Sequence, residues 1–474
     1  MPKFVFLWTD LFVWLVFIGT VCYGVHVMHT PNLRSTWRRV FAQPAPMSAA
    51  ILLAVFVAIG LADSVHFRAR IDAANYDSEP RSFLDLLLAH ELESREKSYS
   101  APLAYASLSK EAIVEEGRVV REFARLKAGG AHLVDPERDW VTDVAALGAA
   151  GAILGALLGL GLFLACAAVV SRNQAVRVNE AWRSMLAGRS DVPWRSVLLT
   201  LVLVCTVIGV IASLASQYHV FGTDRTGNDV FLEVMKSVRT ALVMGSLTTA
   251  AILPFALILG ILSGYLKGWV DDLIQYFYTI ISSVPSVLLI AACVLLIQVF
   301  IDKNPDVFQT GLERADIKLL FLCLIIGITE FSTMCRLIRG ETLKLSELDY
   351  IQAAQAFGAS RMAIMRRHIM PNVMHIVIIT LVLEFSGIVL YEAVLSYVGV
   401  GVDPSTSSFG TMINLARSEM ARDPPVWWNL ATAFVFMLTL VLCVNLFADG
   451  VRDAFDPRTH SFRRRLNLAL GSAK

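Results

Sequence analysis

Glu384 and Glu392 both fall inside the apolar stretch Val373 to Gly399, where an ionised carboxylate is costly and normally faces a protein interior or a wet passage. Two chemistries suit them: relay of a proton or cation, or pairing with a neighbouring helix. Ser396 belongs with them as a polar neighbour. The seven cysteines, Cys22, Cys166, Cys205, Cys293, Cys323, Cys335 and Cys443, lie within or beside apolar segments and show no CxxC or Cys/His spacing. That argues against a disulfide framework or a zinc site. His66, His90 and His132 are isolated and read as surface histidines. GxxxxGK[ST] does not occur, so the chain has no P-loop to cradle nucleotide phosphates. No metal or cofactor is expected in this chain, and any ATP hydrolysis would fall to another subunit.

The elements that must position these groups are apolar. Of 474 residues, 56% are hydrophobic and 17% charged, with a mean hydropathy of +0.60. This composition specifies an all-α polytopic membrane protein. Stretches of roughly 20 residues, long enough to cross a bilayer, occur near 4–28, 47–66, 145–170, 197–216, 241–264, 276–300, 317–335, 373–399 and 427–448. The first reads as a retained helix, for no cleavage pattern follows it. Pro285 marks a kink. Basic loops set the orientation: Arg34, Arg38 and Arg39, then Arg172, Arg177, Arg183, Arg189 and Arg195, and finally Arg452, Arg458, Arg463, Arg464 and Arg465 are all placed inside. The C-terminus is then cytoplasmic, the N-terminus periplasmic, and the polar insert 67–144 outside. Leu84 to Glu96 and Lys110 to Leu126 read there as amphipathic helices of a small cap, with a solvated insert as the alternative. The domain reading is 1–196, an extension with three membrane helices, and 197–474, the transport core.

Between the seventh and eighth spans lies SELDYIQAAQAFGASRMAIMRRHIMPN, Ser346 to Asn372. It reads as helix, glycine turn, helix. Ser346 caps the first helix with Asp349 as its partner, Gly358 supplies a left-handed end, and Ser360 caps the second. Arg366, Arg367 and His368 occupy the last turn before Pro371 stops the helix. A solvated loop and a DNA-binding helix-turn-helix are the competing readings. The second is disfavoured, because a hairpin tied to the bilayer at both ends cannot easily enter a groove.

The stretch resembles the EAA loop of bacterial ABC importer permeases, with Gln352, Ala353, Ala354, Gly358, Met370 and Pro371 at the motif positions; glutamine replaces the glutamate and methionine the leucine. From about residue 197 to about 460 the chain is similar to the second permease subunit of dipeptide and oligopeptide importers. HVFGTDRTGNDVF resembles that family's GTDxxGRD element through Gly222, Thr223, Asp224, Gly227 and Asp229, with Asn228 for arginine. YEAVLSYVGVG resembles EAxLSFLGLG, retaining Glu392, Ser396, Gly399 and Gly401. DPSTSSFGTMI resembles PPxPSWGxML, with Phe409 for tryptophan and Gly410 kept. Together with Pro424, Pro425, Trp427 and Trp428 it reads as an outer rim where a binding protein could rest. The charged pair that the family places before Pro285 is here Tyr276 and Thr279.

The resemblance implies the type I importer fold, about six helices preceded here by about three extra ones. It also implies residence in the bacterial inner membrane, a paired homologous permease, two ATPase subunits holding ATP and magnesium, a periplasmic substrate-binding protein and lipid, but no nucleic acid. Gln352, Ala353, Ala354, Gly358 and Pro371 would couple to the ATPase. Glu384, Glu392 and Ser396 would line the path or pair helices, while Gly222, Thr223, Asp224, Asp229, Phe409 and Gly410 would form the periplasmic entrance. Short peptides are the implied substrate. A secondary transporter or channel relaying charge through Glu384 and Glu392, and a degenerate permease sensing through 67–144, are the alternatives.

Overall fold

The computed structural model describes residues 3–68, 70, 76–77, 80–115, 118–174, 178–187, 192–305 and 310–455. Arg177, Arg189, Arg458, Arg463, Arg464 and Arg465, which the orientation reading uses, lie outside the described residues. In chain order the helices begin with α1 (Trp8–His29), α2 (Pro31–Ala42), α3 (Pro44–Asp63), α4 (Phe83–Leu87), α5 (Ala89–Glu93), α6 (Pro136–Gln174), α7 (Val178–Leu186) and α8 (Trp194–Ala215). They continue with α9 (Val230–Leu266), α10 (Trp269–Ser283), α11 (Ser286–Lys303), α12 (Gly311–Ser346), α13 (Asp349–Ala356), α14 (Arg361–Ile364), α15 (Met370–Val398), α16 (Phe409–Glu419) and α17 (Trp428–Phe455).

Among the described residues, nine helices are long and apolar enough to cross a membrane, and each overlaps one of the nine apolar stretches. Their ends differ. Helix α6 has 39 residues, α9 37 and α12 36, each longer than the about 20 that a bilayer requires. Polar caps extend them: the Thr310 hydroxyl and the Glu313 carboxylate bond reciprocally to each other's backbone at the start of α12. The stretch 276–300 is not one helix. Helix α10 ends at Ser283, Val284 is extended, and Pro285 stands just ahead of α11, because a residue before proline is driven out of helical geometry.

The insert is only partly helical. Ser82 and Asp85 form a capping box for α4, and α5 follows, within the expected Leu84 to Glu96. The expected helix from Lys110 to Leu126 is instead two antiparallel strands, β4 (Ala106–Glu115) and β5 (Arg118–Arg125). β-Branched Ile113, Val114, Val119 and Val120, paired across the two strands, favour a pleat over a helical turn. A second small sheet orders β1 (Lys3–Val5), β2 (His66–Arg68) and β3 (Arg81–Ser82). The fold is thus predominantly rather than purely α.

Contacts divide the chain into two compact units. One comprises Met1–Phe6, Arg38–Thr240 and Ser407–Phe447, the other Leu7–Trp37, Ala241–Thr406 and Ala448–Lys474. In the first unit, α6 and α8 meet through glycine. A Cβ added at Gly151 would stand 2.5 Å from the Gly209 carbonyl oxygen, and one at Gly155 would overlap the Cys205 carbonyl. Lipid tails are as apolar as leucine, so such helices are held by close backbone packing rather than by escape from water. In the second unit, Met244 and Ile252 of α9, Ile326 and Ile338 of α12, and Val373 and Val377 of α15 build one apolar core. Helix α1 is tied to it where the Trp8 backbone N–H donates to Asp316 Oδ2 (2.8 Å).

Candidate functional site

The hairpin after α12 is set by local chemistry. Ser346 is the last residue of α12, its hydroxyl bonded to the Leu343 carbonyl (2.7 Å), and not the expected cap of α13; Leu348 holds that place without a side-chain bond. Gly358 does adopt the left-handed conformation, φ +79°. With it the Gly358 and Ala359 N–H groups reach the Gln355 and Ala354 carbonyls (2.9 and 3.0 Å). Ser360 accepts from the Ala363 N–H (3.3 Å), capping α14. Pro371 does not stop the chain. Met365–Ile369 forms a π turn, which widens the backbone ahead of the ring, where a regular turn would clash with it; α14 and α15 therefore run on as one rod.

The outer surface of this hairpin is uncovered. Gln352, Ala353 and Gly358 are exposed, Phe357 is 92% exposed and Met362 66%. The inner side is anchored: Ile351 and Ile364 are fully buried, and Gln355 Nε2 donates to the Tyr265 hydroxyl (3.1 Å). Beneath it, Arg339 grips the Asp271 carboxylate through two bonds of 2.7 and 2.6 Å. That grip, followed by the Ser263 hydroxyl, holds the Asp271 carboxyl down at about 2.

Along α15 the two carboxylates differ. Glu392 is buried and accepts from the Ser396 hydroxyl (2.6 Å), a bond inside its own helix. Glu384 is half-buried, within electrostatic reach of Glu330 on α12. Gly399, φ +86°, ends the helix as a left-handed cap.

The turn 219–229 stands in the other unit; His219, Gly222, Thr223, Asp224, Gly227 and Asp229 are buried, while Arg225 and Thr226 are exposed. Asp224 Oδ1 accepts from the Thr226 and Asn228 N–H groups (both 2.8 Å), and Asp229 Oδ1 accepts from Phe231 N–H (2.6 Å) at the start of α9. The Thr223 hydroxyl accepts from Ser100 N–H (2.6 Å) and donates to the Ser98 carbonyl (2.9 Å), while Trp428 Nε1 donates to the Thr223 carbonyl (3.1 Å). Gly222 and Gly227 both have positive φ. A Cβ at Gly227 would overlap the Glu96 carbonyl, so the insert lies directly on this turn. Phe409, expected at an outer rim, is 1% exposed and Gly410 and Trp428 are also buried; Pro424, Pro425 and Trp427 are the exposed ones. Phe409 is packed inward with Met412 and Ala416 of its own helix, also buried, which leaves nothing of it for a partner.

Behind the turn, His219 is fully buried with Nδ1 2.5 Å from Asp229 Oδ2, 3.9 Å from Glu91 Oε2, and Nε2 3.6 Å from Glu96 Oε1. Burial opposes its charge, yet Asp229 and Glu96 outweigh burial and raise the imidazole to about 9. Burial, then Asp229, pushes the Glu91 carboxyl up to about 9.

Residues 256–461 match the family described as binding-protein-dependent transport system inner membrane component. The chain is 32% identical over 241 residues to the oligopeptide transport system permease protein OppC of Haemophilus influenzae, covering 51% of this chain and 71% of the relative. It is 30% identical over 246 residues to the glutathione transport system permease protein GsiD of Pectobacterium atrosepticum, covering 52% and 75%. With OppC of Bacillus subtilis the identity is 30% over 243 residues, 51% and 73%.

The chain belongs to this permease family.

It is a multi-pass permease of the type I importer fold, as its relatives are permease components of transport systems. The motif residues fall into two sets: those of the hairpin, gathered on one exposed surface, and those of the turn, consumed in internal bonds. Sequence reading missed His219, Glu91 and Glu96. His219 and Asp229 stand in one motif, but Glu91 and Glu96 come from distant sequence and carry no spacing signal. His66, expected at the surface, is buried in β2, and His132 pairs with Asp143 (3.1 Å); the side chain of His90 lies outside the described ones.

Proposed function

We propose that this permease is one half of the translocation pathway of an ATP-driven importer of short peptides in the bacterial inner membrane. The second half is a homologous permease, two ATPase subunits supply ATP and magnesium chemistry, and a periplasmic binding protein delivers substrate. The relatives named for oligopeptides and glutathione support the substrate class. In this reading the hairpin, the C-terminus and Arg34, Arg38, Arg39 and Arg452 are cytoplasmic, and the N-terminus and the insert periplasmic.

The observation that carries the reading is the exposed hairpin surface of Gln352, Ala353, Phe357, Gly358 and Met362, seated on a buried base. A phenylalanine at 92% exposure beside small residues has no use within this chain and suits a cleft in another. Closure of the ATPases on nucleotide would displace the hairpin, and the continuous α14–α15 rod would carry that displacement past Glu384 and Glu392. One cavity opens as the other shuts, and the differential affinity of ATP for the closed ATPase pair drives the exchange. The test places a photo-activatable residue at position 357 in cells. A cross-link to a P-loop protein is expected; labelling of position 357 by a membrane-impermeant reagent added from the periplasm would overturn both partner and orientation.

A further inference from the structure

We propose that Glu91, His219 and Asp229 form a divalent transition-metal site that pins the insert to the turn leading into α9. All three are buried, and one ligand atom from each lies within 4.8 Å of the other two. The set of one imidazole and two carboxylates is a donor set that zinc and its first-row neighbours take.

Three features of the geometry argue for a cation. Asp229 divides its work: Oδ1 is spent on the Phe231 N–H (2.6 Å), whereas Oδ2 turns to the His219 ring. The His219 Nε2 is fully buried and has no hydrogen-bond partner. A fully buried ring nitrogen left so is costly, and Glu96 Oε1 stands 3.6 Å beyond it. Glu96 is itself fixed there, since Oε1 accepts the Lys127 and Ala128 N–H groups (2.6 and 3.1 Å). A metal on Nδ1 forces the ring proton onto Nε2, aimed at Glu96; carboxylate, histidine and metal then line up as they do in protein metal sites, with the outer carboxylate fixing the tautomer. The surroundings favour positive charge as well. Three buried carboxylates, those of Glu91, Glu96 and Asp229, stand around the one imidazole, and a divalent ion would offset them.

The ligands come from α5 of the insert and from both ends of the 219–229 turn, so the ion would stabilise their junction, independently of which substrate is carried. The experiment uses the purified full-length chain, stripped with a chelator and then given zinc alone. One tightly held zinc per chain and a rise in Tm of about 5 °C are expected, with magnesium giving neither. The isosteric Glu91→Gln should weaken zinc binding at least tenfold and abolish the Tm rise. Equal zinc binding by wild type and E91Q would overturn the site. Should E91Q fail to fold, the wild-type titration decides alone: no stoichiometric zinc and no Tm shift refute it.

Discussion

The turn at 219–229 and the hairpin at 349–364 each hang on a glycine of positive φ, Gly227 at +77° and Gly358 at +79°, yet they use their polar and small residues in opposite ways. In the turn nearly every motif group is bonded inward: Thr223 to Ser98 and Ser100, Asp224 to its own loop, Asp229 to α9. In the hairpin the inward bonds are few and the motif residues look out. A resemblance in sequence therefore does not mark one kind of site. The first motif is used up in the chain's own joints, and the second leaves its residues exposed.

The largest expected effect separates the two glycines. Gly227→Ala drives a Cβ into the Glu96 backbone in addition to the left-handed strain, and a loss of about 3–5 kcal/mol is expected; thermal unfolding of the purified chain measures it. Thr223→Val keeps the shape but leaves the Ser100 N–H without its acceptor, at a cost of about 1–3 kcal/mol by the same measurement. Gly358→Ala meets nothing within 4 Å, so only the conformational strain of about 1–2 kcal/mol remains, while ATPase stimulation falls far more than stability does. Equal stability losses for the two glycine variants would erase the contrast.

Acid sharpens it further. Asp271 is held at about 2 by Arg339, below its ordinary value. A depressed carboxyl gives stability that is present above the unfolded pKa of about 4 and lost as pH falls through the folded value. The clamp beneath the hairpin should accordingly be indifferent to pH between 5 and 8 and release only between about 4 and 2. An Asp271→Asn variant that reproduces the wild-type acid profile would contradict this. The smallest change in stability belongs to Phe357→Ala, within about 0.5 kcal/mol, with loss of ATPase association in a pull-down as its one strong consequence.

What the sequence made legible was what is local or additive. Nine apolar stretches were visible because hydropathy sums over a whole span, and the left-handed turn at Gly358 and the cap at Ser360 because each is decided by a few adjacent residues. Ser346 misled because α12 does not need to stop there; a good cap residue caps only if the preceding helix ends. Lys110 to Leu126 misled because mixed charges imitate an amphipathic helix, while the pairing of Ile113 with Val120 across two strands is invisible without the partner. Gly151 and Gly155 of α6 are plain in the sequence, but their meaning requires Gly209 and Cys205 opposite. The same limit hid His219 among its carboxylates.

The π turn at Met365–Ile369 has a mechanical consequence. From Arg361 to Val398 the chain is one helical run of 38 residues, about 57 Å long, regular except at the π turn and at Pro371, which has no N–H to give. At the widened turn the backbone ladder is looser by one residue, and the defect lies between the exposed tip and the long apolar shaft. A twist entering at the tip would meet its softest joint there, where the widened turn and the adjoining proline both loosen the backbone ladder.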